Sequence, residues 1–335
     1  IIKHSSKFTA PIPPLSTAID VNLLWQTYGK KEWHQRRRYP VVGVGIAFTD
    51  YGNDEVFGRC VGIYTDVQIP FIKRDKYEWT IRIGNGIAYI TKKYQLTAPV
   101  DTVNTAISTN INDFGIFMTD FRYHINKHWD IQAGANFTHV SNALFKEPNL
   151  GINMFGAHIA ARYFPVSSKP KPIIRDLQPL SNRWLVQVRA GIGFNQSRTS
   201  GHPELPDYVG SVYVSRRWKS KNKLFAGTDY SYHESNYQFL RLCELFPGHE
   251  REHSWYGAFF AGNEFLLGKV GIMTQVGVYY HQLYLKQDPV YEKLGGNLYL
   301  IRNENGFLKE LFVSVLLKTH RFTAEFAEFG IGAGF

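Results

Sequence analysis

The sequence predicts an all-β protein, a transmembrane antiparallel β-barrel of about 14 to 16 strands. Segments of about ten to fourteen residues repeatedly alternate apolar with small or polar residues, which is the weak, repeated signal of strands that cross a membrane. Aromatic residues make up 15% of the chain, and amphipathic helical periodicity is scarce. No run of eighteen strongly apolar residues occurs, so we do not expect a transmembrane helix.

The alternation is clearest in three segments. In the first, Trp129, Ile131, Ala133, Ala135 and Phe137 form one face, opposed by Asp130, Gln132, Gly134, Asn136 and Thr138. The segments from Trp184 and from Val270 repeat this pattern. Side chains of a strand alternate between its two faces, so each segment predicts one apolar and one polar surface. In an outer-membrane barrel the apolar face meets lipid and the polar face lines the interior.

Continuing this reading along the chain predicts fifteen strands. They lie near 17–27, 41–50, 59–71, 76–91, 109–124, 128–141, 152–164, 183–196, 207–218, 223–235, 253–266, 270–283, 291–301, 309–319 and 322–335. Bacterial barrels of one chain have an even number of strands, so we expect one more at or before the N-terminus, with Ile1–His4 as its remnant. Short connections are expected on the periplasmic side and long ones outside.

We therefore expect residues 1–335 to form a single β-barrel. Within it, 17–164 form one set of strands and 182–335 add further strands. The Ser-, Lys- and Pro-rich stretch 165–181 is expected to be a linker-like periplasmic connection. The last strand alternates through Ile331 and Ala333 and ends on Phe335, which resembles the C-terminal signal of bacterial outer-membrane proteins. A soluble β-sandwich has little reason to end in this way.

The formal net charge of +10 suits an anionic partner, such as the phosphates of lipopolysaccharide or nucleic acid. Basic residues concentrate in predicted turns, for example at Arg36-Arg37-Arg38, where a solvated rim explains them equally well. With a membrane barrel predicted, we expect lipopolysaccharide and not nucleic acid. The two cysteines, Cys60 and Cys243, have no metal-site spacing, and whether they pair stays open.

The candidate site lies where the strand near 128–141 ends. His139 and Ser141 continue the apolar face of Phe137, because residues two apart in a strand share one face. Asn153 begins the apolar face of the next strand. Polar groups that face hydrocarbon are costly, so three of them together indicate a function whose substrate lies in the membrane.

These residues resemble a known family. His139-Val140-Ser141-Asn142-Ala143, followed by Pro148-Asn149-Leu150-Gly151, is similar to the motif of outer-membrane lipid A 3-O-deacylases. Trp25-Gln26-Thr27, Lys31–Gln35 and Asn104–Ser108 resemble the longer Bacteroidetes-type relatives known as acyloxyacyl hydrolases. The resemblance is strong over about 17–164. It implies a bacterial outer-membrane barrel that hydrolyses an acyl ester of lipid A in the outer leaflet, with neither metal nor cofactor.

By this resemblance, Ser141 is the nucleophile and His139 its general base, while Asn142 and Gly151 support the oxyanion. The family's acidic partner falls at Asn153, where this sequence departs from the pattern. An amide oxygen still accepts a hydrogen bond from imidazole but adds no charge to stabilise imidazolium. Glu147 could replace the acid only if its loop folded back over the strands.

Two other functions stay open at this stage. The first is a non-catalytic barrel that serves as a subunit of a larger outer-membrane assembly or export complex, together with other outer-membrane proteins. The second is a pore, in which Arg82, Arg162, Arg183 and Arg189 line the lumen and favour anions. The spacing of His249, Glu250, Glu252 and His253 is loosely metal-like, but a solvated loop is the simpler interpretation.

Overall fold

In a computed structural model of the chain, residues 1–3, 7–166, 170–196, 203–219, 221–321 and 323–335 are described. Parts of several predictions, among them His4 and the linker residues 167–169, lie outside these ranges. The prediction of an all-β protein is confirmed, since 59% of the chain is strand and 4% is helix. In the described ranges, no helix is long and apolar enough to cross a membrane.

The described residues form fifteen strands and two short helices, in chain order. The strands are β1 Thr17–Gln26, β2 Val41–Asp50, β3 Arg59–Lys73, β4 Tyr77–Ile90, β5 Ile111–His124, β6 Trp129–Ser141, β7 Ile152–Tyr163, β8 Trp184–Gln196, β9 Glu204–Trp218, β10 Asn222–His233, β11 Trp255–Leu267, β12 Val270–His281, β13 Val290–Arg302, β14 Glu310–His320 and β15 Thr323–Gly334. The helices are α1 Glu32–Arg36 and α2 Glu234–Leu242. Each strand matches a predicted one to within about three residues, because alternation is a local signal.

The described strands belong to two sheets, and a single barrel of all the strands stays a prediction. Strands β1 to β7 form a seven-stranded antiparallel sheet in sequence order, within a unit made of 1–142 and 148–176. Strands β8 to β15 close into an eight-stranded barrel, within a unit made of 143–147 and 177–335. The barrel closes because β15 pairs with β8 as well as with β14. That pairing joins distant segments and leaves no trace in local alternation.

In the first unit, the predicted two-faced strands are confirmed. On β6, Trp129 and Ile131 are exposed, whereas Asp130 and Val140 on the opposite face are buried. At the end where β6 stops and β7 begins, an apolar cluster packs beneath the strands. It comprises Phe8, Ala10, Ala47, Tyr51, Phe57, Cys60, Tyr64, Ala88, Ile90, Ala106, Ile107, Phe114, Ile116, Met118, Val140 and Ile152. The end of β6 therefore packs against this buried cluster through Val140.

The interior of the closed barrel is filled with ion pairs. Lys223 lies 2.8 Å from Glu310 and 3.1 Å from Glu264, and all three side chains are buried. Lys293 lies 2.9 Å from Asp229 and 3.0 Å from Glu328. An eight-stranded barrel is just wide enough for its own side chains, and paired charges satisfy one another there. The described part of this interior is therefore packed.

Each arginine predicted to line an anion pore contacts another group of the protein. Arg82 lies 3.4 Å from both Asp20 and Asp66, and Arg189 lies 3.1 Å from Glu328. The Arg162 guanidinium stacks over the ring of Phe164, with 4.4 Å between its carbon and the ring centroid. Arg183 is exposed, and its Nη2 donates to the carbonyl oxygen of Glu304. The carboxylates beside Arg82 and Arg189 offset the positive charge that anion selectivity would need.

Candidate active site

Cross-strand register brings the predicted residues of the candidate site together. Asn153 of β7 is the direct partner of His139 on β6, and Ser141 follows His139 by two residues on the same face. His139 Nδ1 lies 2.6 Å from Asn153 Oδ1, and His139 Nε2 lies 2.9 Å from Ser141 Oγ. Each ring nitrogen therefore has one partner. This is the arrangement that a serine nucleophile and its base require.

The tautomer of His139 follows from these contacts. The amide oxygen of Asn153 can only accept, so Nδ1 carries the proton and donates it. Nε2 is then unprotonated and accepts the hydroxyl proton of Ser141. A general base has to present a free nitrogen to its nucleophile, and with this tautomer Nε2 is free to do so.

Gly151 makes room for the imidazole. Its φ is +78°, a left-handed conformation that side chains other than glycine rarely adopt. A Cβ at this position would lie 2.9 Å from His139 Cε1, which is closer than real contacts allow. Its backbone N–H donates to the carbonyl oxygen of Ala106 at 2.9 Å. In this structure Gly151 therefore supplies space and an anchored backbone, while its N–H is already engaged.

Asn142 connects the end of β6 to two loops. Its Nδ2 donates to Ser108 Oγ at 2.9 Å, and its backbone N–H donates to Asn149 Oδ1 at 3.0 Å. All three residues are buried. These bonds hold the backbone next to Ser141. Oxyanion support by Asn142 stays a prediction, and it requires one of these donors to turn toward the substrate.

The loop of Asn104–Ser108 adjoins the site, as its similarity to the long relatives suggests. Asn104 is fully buried, and its Oδ1 accepts from the backbone N–H groups of Ala106 and Ile107. Its Nδ2 donates to the carbonyl oxygen of Val56 at 2.9 Å. Asn104 therefore holds the loop in which the carbonyl oxygen of Ala106 accepts a hydrogen bond from the backbone N–H of Gly151. The segments Trp25-Gln26-Thr27 and Lys31–Gln35 lie at the opposite end of the sheet.

Asp113 is a residue of this site that the sequence reading missed. It stands on β5 as the direct cross-strand partner of Ser141, on the same face as His139. Directly opposed side chains have Cβ atoms about 4.5–5.5 Å apart, so the carboxylate of Asp113 lies close to Ser141 and His139. Asn85 Nδ2 donates to Asp113 Oδ1 at 2.9 Å. The signal was available, because Asp113 alternates in phase with exposed Ile111 and Phe117.

The other sequence candidates lie elsewhere. His249 is exposed, and its Nδ1 lies 3.1 Å from Glu252 Oε1. In the described ranges, no group of three or more His, Cys, Asp or Glu side chains could hold a metal ion. Cys60 is buried and Cys243 is exposed, and neither forms a disulfide.

Two known families match consecutive parts of the chain. Residues 17–162 match the family described as Lipid A 3-O-deacylase (PagL), and residues 183–335 match the one described as Acyloxyacyl hydrolase, C-terminal domain. A comparison with curated proteins finds no significant match. Among solved structures, the FrpB iron transporter from Neisseria meningitidis (F5-1 variant) matches 96% of this chain and 70% of its own, at 7% identity. Its TM-score of 0.19 supports no structural argument.

The matched ranges coincide with the two sheets. The deacylase match covers β1 to β7 with the His139–Ser141 pair, and the acyloxyacyl hydrolase match covers the whole closed barrel. Together they account for nearly all of the chain. Both descriptions imply hydrolysis of an acyl ester, and an outer-membrane location follows from the family. The chain belongs to the lipid A 3-O-deacylase family, in the long form that carries an acyloxyacyl hydrolase C-terminal domain.

Proposed function

We propose that this protein hydrolyses an acyl ester of lipid A with Ser141 as nucleophile, His139 as general base and Asn153 as its orienting partner. The observation that carries the proposal is the pair of contacts made by His139, at 2.6 Å to Asn153 and 2.9 Å to Ser141. Through them, Nδ1 of the imidazole donates to the amide oxygen of Asn153, and Nε2 is placed to accept the hydroxyl proton of Ser141.

The reaction follows from this geometry. Ser141 Oγ attacks the ester carbonyl as its proton passes to His139 Nε2. The tetrahedral intermediate then collapses as the protonated imidazole donates its proton to the sugar oxygen, which leaves as a hydroxyl. Water, activated by the same imidazole, then releases the fatty acid from Ser141. Each step places a positive charge on His139. Asn153 contributes no charge to stabilise it, and we assign that contribution to the Asp113 carboxylate across from Ser141.

We place the site on the lipid-facing surface near the outer leaflet. His139 and Ser141 share the face of Trp129 and Ile131, which are 44% and 50% exposed. Apolar side chains exposed on a membrane-embedded strand meet acyl chains, so an ester of lipid A would approach the site within the bilayer, where Ser141 itself is 2% exposed. Lipopolysaccharide is therefore the proposed substrate.

Mass spectrometry of lipid A tests the proposal. Expression of the wild-type chain in the outer membrane of a host with fully acylated lipid A should give a product lighter by one acyl chain. Ser141→Ala should abolish the change, whereas Ser314→Ala, at a buried serine of β14, should retain it. Unchanged lipid A in the presence of folded wild-type protein would exclude this function. It would favour the alternative function, a non-catalytic subunit of a larger outer-membrane complex.

A further inference from the structure

A second serine and histidine pair lies in the closed barrel, at the end where β9 begins and β10 ends. Ser231 and His233 are two residues apart on β10, and Asp207 of β9 is the direct cross-strand partner of His233. His233 Nε2 lies 3.0 Å from Ser231 Oγ, and His233 Nδ1 lies 2.6 Å from Asp207 Oδ1. A serine, an imidazole and a carboxylate therefore form one connected chain of contacts.

This constellation has the same connectivity as the site on β6 and β7. In both, Nε2 faces a serine two residues away and Nδ1 faces the residue directly opposite on the neighbouring strand. The order along the strand is reversed, with Ser231 before His233 but His139 before Ser141. The third member also differs. Asp207 supplies the full negative charge that Asn153 lacks, so the imidazolium of His233 would be the better stabilised.

The surroundings hold the second constellation in place. Ser231, His233 and Asp207 are 5%, 2% and 0% exposed, and Asn195 Nδ2 donates to Asp207 Oδ2 at 2.5 Å. The rings of Tyr256 and Phe326 lie 4.7 and 5.9 Å from the imidazole of His233. The contact between His233 Nδ1 and Asp207 Oδ1 is short but lacks the angle of a hydrogen bond. Such bonds often tighten only when a substrate binds.

Ser231 opens onto a small cavity that contains cationic groups. The cavity is lined by Val209, Asp229, Ser231, Tyr256, Ala258, Tyr279, Tyr291, Lys293 and Lys318. The ammonium groups of Lys293 and Lys318 are buried and paired with carboxylates, Lys318 with Glu325 at 2.9 Å. The cavity has room for about one water molecule, so an acyl group enters it only when its lining moves.

Helix α2 covers this end of the barrel. It begins directly after His233, and its residues Asn236 and Leu240 are 5% and 0% exposed. Asn236 Nδ2 donates at 2.9 Å to the hydroxyl of Tyr256, which lines the cavity. A substrate would reach Ser231 only when α2 moves aside.

We propose that Ser231, His233 and Asp207 form a second serine-hydrolase site, which takes esters of short acyl groups. Ser231 Oγ bonds to the carbonyl carbon while its proton passes to His233 Nε2. The bond to the alcohol oxygen breaks, and the alcohol leaves with that proton. Water then adds to the acyl group, giving its proton to His233 and displacing Ser231 as the free hydroxyl. This proposal is independent of the function proposed for Ser141.

Covalent labelling tests the second site in the full chain purified in detergent. A Ser141→Ala background removes the first nucleophile, and diisopropyl fluorophosphate serves as a small probe. Its phosphorus bonds to a reactive serine oxygen as fluoride leaves and the imidazole takes the proton. Peptide mass spectrometry should find the adduct on Ser231. Ser211 is a built-in control, since it is equally buried but bonds to Asp229 instead of a histidine.

Further variants separate catalysis from a structural role. His233→Gln should abolish labelling, and Asp207→Asn should slow it by about 10⁴-fold, as loss of the triad carboxylate does in serine proteases. Leu240→Ala should accelerate labelling because it loosens α2. Heat-dependent mobility in gels verifies that each variant retains its barrel. An unlabelled Ser231 in folded protein, both with and without Leu240→Ala, would overturn the proposal, as would equal labelling in Asp207→Asn.

Discussion

Asn153 stands directly across from His139, with its amide oxygen 2.6 Å from Nδ1. In a serine protease, replacing the triad aspartate by asparagine leaves the wrong imidazole tautomer and costs about 10⁴ in turnover. Here the amide oxygen faces the ring, and under the proposed mechanism it accepts the proton of Nδ1. What the site lacks at this position is charge. The consequences can be measured one residue at a time.

Asn153→Asp should increase turnover. A hydrogen bond to a charged group is stronger than a neutral one by about 1–2 kcal/mol, which corresponds to about a 10-fold faster reaction. The rate of deacylation of lipid A in detergent micelles is the measurement. Asn153→Leu is the matched control, because it removes the acceptor and should be nearly inactive. A slower Asn153→Asp enzyme would show that charge is not what limits His139.

Asp113→Asn should lower turnover by about 10-fold with little effect on KM, because the change removes a charge near imidazolium and preserves the side-chain shape. Asp54→Asn, at an exposed loop carboxylate, controls for the lost charge. In the Asn153→Asp background the loss at Asp113 should shrink, because the new carboxylate then supplies the charge. Strictly additive effects in this double-mutant cycle would argue against the shared role.

Gly151→Ala should lower turnover by at least about 100-fold, since a 1 Å displacement of a catalytic group can cost that much. The new Cβ would press on His139 Cε1, from a position 2.9 Å away. Gly248→Ala is the control, because Gly248 has a φ of +84° but nothing within 4 Å of its Cβ position. It carries the backbone penalty without the collision and should remain active. Full activity in Gly151→Ala would show that the imidazole has room to move.

Lys223→Met should destabilise the closed barrel by about 3–5 kcal/mol, because it removes the cation that pairs with two buried carboxylates. Those carboxylates are Glu264 and Glu310, which are each 1% exposed. Urea unfolding in detergent, followed by intrinsic fluorescence, measures the difference. Lys269→Met replaces an exposed lysine at the β11–β12 turn and should change stability by less than about 0.5 kcal/mol. Equal stability of the two variants would mean that Lys223 is not needed for the ion-pair network.

Several features of the site were predictable because they depend on neighbours in sequence. His139 and Ser141 share a face through the period of two along a strand, and Asn153 belongs to the next strand along the chain, after the connection 142–151. Asp113 and Ser108 come from a more distant strand and loop. Their approach depends on the register of β5 against β6 and on the bond between Ser108 and Asn142. Alternation alone does not specify that register.

The sequence by itself determined the all-β class, the limits of fifteen strands, the apolar and polar faces, and the family through His139, Ser141 and the residues after them. These are local properties, since a strand's alternation is written in consecutive residues. Only the tertiary structure decided that β15 pairs with β8 and closes β8 to β15 into a barrel. It also decided that Ser231 and His233 meet Asp207. Both outcomes depend on hydrogen bonds between separate strands, whose partners no single segment encodes.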